Sequence, residues 1–331
     1  MLTQVVERNA SDLHITPGAH PTIRVRGRLT PLDDFPKLDP SMTREIVYSI
    51  PGLARFRVNA YFQRASIGAA FRLIPADLKT VDQLGLPPVV HELARRPRGF
   101  VLVTGPTGSG KSTSLAAMID EINETRDEHI MTIEDPIEFL HAHKRCLVNQ
   151  RELGNDAQSF ALALKAALRQ DPDVILVGEM RDLETISTAL TAAETGHLVF
   201  ATLHTQDTAQ TIDRIIDAFP AGQQDQIRVQ LSVALQGIVT QQLLPTADGA
   251  GRVCACEILV PTPAVRNLIR EGKTHQIPSV LQTGASAGMQ TMDSALATLV
   301  RAGKISQRLA ESRSSTPAEL RRLMGATSMA A

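Results

Sequence analysis

"GFVLVTGPTGSGKSTSLAAMIDEINE", Gly99 to Glu124, sets an apolar run, a glycine-rich loop and a helical pattern in immediate succession. The loop fits G-x-x-x-x-G-K-[S/T], with Gly105, Gly110, Lys111 and Ser112 at the fixed positions. Glycines let the backbone curl until its N–H groups face one anion. The helix that follows adds unpaired N–H groups and the positive end of its dipole. Lys111 is expected to reach the outer phosphates and Ser112 to place its hydroxyl on Mg²⁺. The reading is a nucleoside triphosphate held by Gly105, Pro106, Thr107, Gly108, Ser109, Gly110, Lys111, Ser112 and Thr113.

Working outward, apolar strands alternate with helical patterns. "FVLVTG", "HIMTIED", "DVILVGE" and "LVFATLHT" are separated by stretches such as "AQSFALALKAALRQ" and "LETISTALTAAE". That alternation predicts an α/β domain over 75–331, with a mainly parallel sheet covered on both faces. Ligands of such sheets sit at the carboxyl ends of the strands. The polar residues there are Glu134, Asp135 and Glu138 after one strand, Glu179 after another and His204 after a third. Phosphate hydrolysis needs an anchored metal ion, an oriented water and cover for developing charge, and neighbouring acids suit the first two. Glu179 follows an apolar run and is the expected Walker-B-type acid, serving Mg²⁺ through water or the attacking water itself. Gly178 stands where many P-loop enzymes carry an aspartate.

His197 and His204 flank one strand seven positions apart, so the two-residue period sends them to opposite faces. His204, at the strand tip, is placed to sense the γ-phosphate or to hydrogen-bond a catalytic acid. Before residue 75, "PTIRVRGRLTPL" and "ARFRVNAYFQRASIGAAFRLIP" alternate as half-buried antiparallel strands do, which predicts a smaller α+β domain over 1–74. Its strands carry Arg55, Arg57, Arg64 and Arg72. These form either a solvated face or arginine fingers that act on a neighbour's nucleotide, the latter requiring an oligomer.

Composition narrows the classes. A chain of 331 residues with 43% hydrophobic content supports two domains, and a formal net charge of -1 with 3% aromatics argues against a globally basic nucleic-acid binder and gives no evident stacking platform, while local basic patches stay open. No apolar stretch approaches the roughly 18 residues of a membrane span, and "MLTQVVERNASDLHI" lacks the order of a secretory signal. A cytoplasmic setting is expected. The three cysteines agree: Cys254 and Cys256 form only C-x-C, and Cys146 lies far from both.

The set "GPTGSGKST", "TIEDPIEF", "LRQDPDVILVGEMRD" and "TGHLVFATLHT" resembles the secretion ATPase superfamily, with Walker A, aspartate, Walker B and histidine boxes in order. Within it, "ASDLHI", "PGLARFRVNAYFQR", "AVRNLIREGK" and "GMQTMDSALATLV" resemble the pilus-retraction ATPases of twitching motility. The resemblance implies a RecA-like P-loop ATPase domain behind a PAS-like N-terminal domain, assembled as a homohexamer that binds ATP and Mg²⁺. It assigns Lys111 and Ser112 to phosphate and Mg²⁺, Glu179 to Walker B, Glu134 and Glu138 to the aspartate box, and His197 and His204 to the histidine box. Arg57, Arg64 and Arg72 become finger candidates. It further implies ATP hydrolysis that powers type IV pilus retraction, with an inner-membrane platform protein as partner at the inner face of the cytoplasmic membrane.

One departure stands out. The helix begun by "SMTREIVYSI" runs straight into Pro51, where the family normally continues for further turns and a strand, so a segment is expected to be missing between 50 and 51. Two other functions compete: an assembly or secretion ATPase of the same superfamily, and a nucleic-acid translocase on a RecA-like core. Assembly-type members usually carry a four-cysteine zinc segment that this chain lacks, which favours retraction.

Overall fold

The computed structural model describes residues 1–16, 18–37, 55–63, 66–74 and 78–325. The Ile50–Pro51 junction and Arg64 lie outside the described residues. The chain divides into two compact units, Met1–Leu78 and Lys79–Ala331, four residues beyond the boundary expected from patterning.

The first unit carries a helix, α1 (Leu2–Glu7), and five strands: β1 (Asp12–Ile15), β2 (Thr22–Val25), β3 (Arg28–Pro31), β4 (Arg55–Gln63) and β5 (Ser66–Ile74). They form one antiparallel sheet in the order β3-β2-β1-β5-β4. "PTIRVRGRLTPL" folds as a hairpin because Arg26 and Gly27 both take positive φ, 49° and 82°, the backbone of a tight two-residue connection. Leu13, Ile15, Ile23 and Phe71 close its apolar core.

The second unit is built on seven strands: β6 (Gly99–Thr104), β7 (His129–Glu134), β8 (Leu147–Glu152), β9 (Val174–Val177), β10 (Leu198–Leu203), β11 (Leu235–Pro245) and β12 (Arg252–Leu259). Their order is β12-β11-β6-β10-β9-β7-β8, parallel throughout except for β12 against β11. Alternate residues of β6 feed different cores: Phe100 and Leu102 pack with α4 (Phe160–Ala167), α5 (Leu183–Glu194) and α6 (Thr208–Asp217), whereas Val101 and Val103 pack with α2 (Val89–Ala94) and α3 (Lys111–Thr125). Both faces are therefore buried, as the unbroken apolar strands predict. Helices α7 (Ala221–Ala234), α8 (Pro263–Arg270) and α9 (Ile277–Thr283) join the first core. A separate small core gathers Leu296 of α10 (Met292–Arg301), Ala310 of α11 (Gln307–Arg313) and Leu320 of α12 (Pro317–Gly325). Among the described residues no helix is long and apolar enough to cross a membrane.

Candidate nucleotide site

The phosphate loop leaves β6 at Gly105, whose φ of 135° excludes ordinary side chains. A Cβ there would lie 2.4 Å from the Gln241 carbonyl oxygen of β11 and 2.7 Å from Ser109 Oγ. Gly108 and Gly110 also take positive φ, 80° and 94°, and Gly110 hands the chain to α3, whose fifteen residues begin at Lys111. Strand pairing clamps the loop's base. Thr104 Oγ1 and Thr240 Oγ1 lie 2.8 Å apart across β6 and β11, and Gln241 Nε2 donates to Ser114 Oγ at 2.6 Å. Lys111 Nζ donates to the Gly105 and Pro106 carbonyls at 2.8 and 3.2 Å. Burial lowers its pKa, while the charges of Glu179 and Glu138 act in the opposite sense. Both acids therefore lie within electrostatic reach of the lysine.

Glu179 emerges just past β9 between two partners. Arg181 Nη2 donates to its Oε2 at 2.7 Å, and His204 Nε2 lies 3.1 Å from its Oε1. The Arg181 hydrogen bond holds the carboxyl below the usual range, burial opposes it, and His204 helps. Gly178 explains the absent aspartate. Its N–H donates to the Ile133 carbonyl at 2.8 Å, its carbonyl accepts from Thr202 Oγ1 at 2.5 Å, and an added Cβ would stand 3.1 Å from Ile133 O and 3.2 Å from Glu134 Cα. The close approach of β9 to β7 thus leaves little space for a side chain at 178 and brings the backbones of Glu134 and Gly178 together.

Glu134 differs from Glu179 in environment. Thr132 Oγ1 and Gln150 Nε2 both donate to its Oε1, at 2.7 and 3.1 Å, yet burial outweighs them and raises its pKa. Two carboxyls at adjacent strand tips are thereby pushed apart in acidity. Arg181 favours the ionised form of Glu179, whereas burial disfavours that of Glu134.

His197 precedes β10 and His204 follows it, the flanking arrangement expected from their spacing, so a strand length of about 20 Å separates them. His197 Nδ1 lies 3.0 Å from the Ala192 carbonyl, remote from the cluster of Lys111, Glu138, Glu179 and His204. Arg72 is paired within its own unit. Its Nε donates to Asp12 Oδ1 at 2.9 Å, and β-sheet register sets it opposite Arg57. Arg181 escaped the sequence reading although it stands two residues from Glu179 in "GEMRD".

The loop fits a phosphate chain. Ser109 Oγ is buried without a partner, the glycine cradle bars a Cβ at Gly105, and α3 opens directly behind it. Ser112 and Glu179 offer the hydroxyl and carboxylate oxygens that suit Mg²⁺.

A family model described as "Type II/IV secretion system protein" matches residues 69–321. The chain belongs to this family. A relative from Pseudomonas aeruginosa, "Type IV pilus retractation ATPase PilT", is 50% identical over 338 aligned residues, covering 96% of this chain and 98% of its own length. A "Twitching motility protein" of Neisseria gonorrhoeae is 59% identical over 266 residues, 80% of this chain and 71% of that protein. Among solved structures, that of the pilus retraction motor PilT with bound ADP superposes with a TM-score of 0.89 at 49% identity, covering 97% of this chain and 98% of that one. Members of this secretion family are nucleotide-binding ATPases, and the likeness spans both units of the chain.

Proposed function

We propose that the chain is a subunit of a homohexameric motor that hydrolyses ATP to drive type IV pilus retraction, withdrawing pilin subunits during twitching motility. The observation that carries this reading is the His204–Glu179 pair within electrostatic reach of Lys111 in the phosphate loop, in a chain half identical to a pilus-retraction ATPase over nearly all its length.

In this reading Lys111 releases its loop carbonyls to neutralise the outer phosphates. Ser112 and Glu179 would hold Mg²⁺, which when bound supplies positive charge to the phosphate oxygens. The Glu134 carboxyl, raised by burial, accepts the proton of the attacking water, with Glu138 beside it. His204 and Arg181 fix the orientation of Glu179 from two sides. Charge that develops on the transferred phosphoryl group needs further cationic cover, which Arg57, Arg64 or Arg72 of an adjacent subunit provides. For Arg72 that role requires release from Asp12, so its ion pair would open as the ring closes. The motor works in the cytoplasm at the inner face of the cytoplasmic membrane, against a platform protein of the pilus machine.

Complementation tests this function directly. Expression in a bacterium stripped of its own retraction ATPase should restore twitching, and a Lys111→Ala chain should not. Restored piliation without retraction would assign the chain to assembly instead.

A further inference from the structure

Glu257 on β12 is a carboxylate buried to 8% exposure, far in sequence from every nucleotide box. Its Oε1 accepts from both the backbone N–H and the Oγ1–H of Thr208, each at 2.9 Å, at the first turn of α6. Its Oε2 receives the Met292 N–H at 3.4 Å, at the first turn of α10. One side chain therefore joins two helix starts, where an anion is favoured by the unpaired N–H groups and the dipole.

What lies just before each helix gives the contact its meaning. Four residues before Thr208 stands His204, 3.1 Å from Glu179. Two of the three connecting residues are braced: Thr205 Oγ1 and Thr211 Oγ1 lie 2.7 Å apart, and the Gln210 N–H donates to Asp207 at 2.7 Å. Just before Met292, Gln290 Nε2 donates to the Cys256 carbonyl at 2.7 Å, and the Gln290 and Ile258 backbones pair with each other. The start of α10 is thus fastened to the same stretch of β12.

We propose that Glu257 is a positioning residue for ATP hydrolysis, setting the His204 loop against Glu179 and tying it to the C-terminal helix α10. The inference rests on the reading of His204 and Glu179 as hydrolytic machinery. Deleting the carboxylate leaves the Thr208 N–H and hydroxyl without their buried acceptor, so the loop loses its fixed end. Glutamine keeps an oxygen for both Thr208 donors but turns an N–H₂ group toward Met292, sparing the loop and breaking only the tie to α10.

The test is steady-state ATP hydrolysis by wild-type, Glu257→Ala, Glu257→Gln, His204→Ala and Glu257→Ala/His204→Ala chains, with melting curves to establish folding. Glu257→Ala should lower kcat about tenfold while KM for ATP stays within about twofold, because the phosphate loop is untouched. Glu257→Gln should stay within about threefold of wild type. In the His204→Ala background, Glu257→Ala should produce no further loss, since its effect passes through that histidine. Should Glu257→Ala fail to fold, Thr208→Val, which removes one donor at constant shape, carries the same comparison with a loss of about threefold that vanishes beside His204→Ala. Wild-type kcat in folded Glu257→Ala, or equal losses with and without His204, would overturn the inference. Wild-type kcat in His204→Ala would instead overturn the catalytic reading beneath it.

Discussion

Replacing Gly105 by alanine is the smallest change that closes the phosphate cradle. At a φ of 135° an alanine costs about 1–3 kcal/mol in backbone strain alone. The new methyl would stand 2.4 Å from the Gln241 carbonyl oxygen, so ordinary contact requires about 1 Å of displacement between β6 and β11. Those strands resist, held by their ladder and by the Thr104–Thr240 bond, so part of the displacement falls on the loop itself. A total loss of about 3 kcal/mol corresponds to a drop of roughly 6–12 °C in the melting temperature of a unit this size. A phosphate loop misplaced by about 1 Å should weaken ATP binding about a hundredfold. Calorimetry with ATP and a thermal melt measure both, with Gly108→Ala as the control. Position 108 shares a positive φ but has nothing within 4 Å of an added Cβ, so it should lose only about 1 kcal/mol. Wild-type ATP affinity and melting in Gly105→Ala would refute the packing argument.

In α8, Ile269 is fully buried and Leu268 only packs against the same core from its edge. Ile269→Ala should cost about 2–5 kcal/mol in a melt, whereas Leu268→Ala should cost about 1 kcal/mol, keep ATP turnover and stop pilus retraction in cells; normal twitching with Leu268→Ala would make the helix a packing element. His91 bridges α2 to Glu121 of α3 at 2.6 Å and meets Asp82 at 3.1 Å. Burial lowers its pKa, but these two acids outweigh burial and raise it. The histidine's contribution to stability is therefore full below its unfolded pKa and lost as pH rises through the folded value. His91→Gln should cost more stability at pH 5.5 than at pH 9, and equal losses at both would dismiss the ion pair. If Arg57, Arg64 or Arg72 completes a neighbour's site, its alanine variant should regain ATPase activity when co-assembled with Lys111→Ala subunits. Absence of rescue in confirmed mixed rings would return that arginine to a solvated face.

The second unit was legible where its strands are apolar throughout. "FVLVTG", "HIMTIED", "DVILVGE" and "LVFATLHT" became β6, β7, β9 and β10, and "LETISTALTAAE" became α5 residue for residue. β8 was not, because "LVNQRE" is a polar edge strand with Leu147 exposed. β11 was hidden for another reason: it follows α7 without a connecting residue, so no turn signal marks Leu235. Site residues at strand tips were readable because a parallel sheet gathers them. Contacts set by folding were not. The Asp12 partner of Arg72 is sixty positions away, and the Glu257 carboxylate meets α6 from another strand.

ATP turnover by size-resolved particles tests the central claim most directly. Wild-type chain should elute as a hexamer with Mg²⁺-dependent ATPase activity coincident with that peak. Lys111→Ala and Glu179→Gln should elute identically and lose about 10²–10³ of the rate, since each removes electrostatic support for the reacting phosphoryl group or its metal ion. Undiminished turnover in either variant, or a wild-type hexamer that hydrolyses no ATP, would contradict the assignment of this chain as an ATP-driven motor.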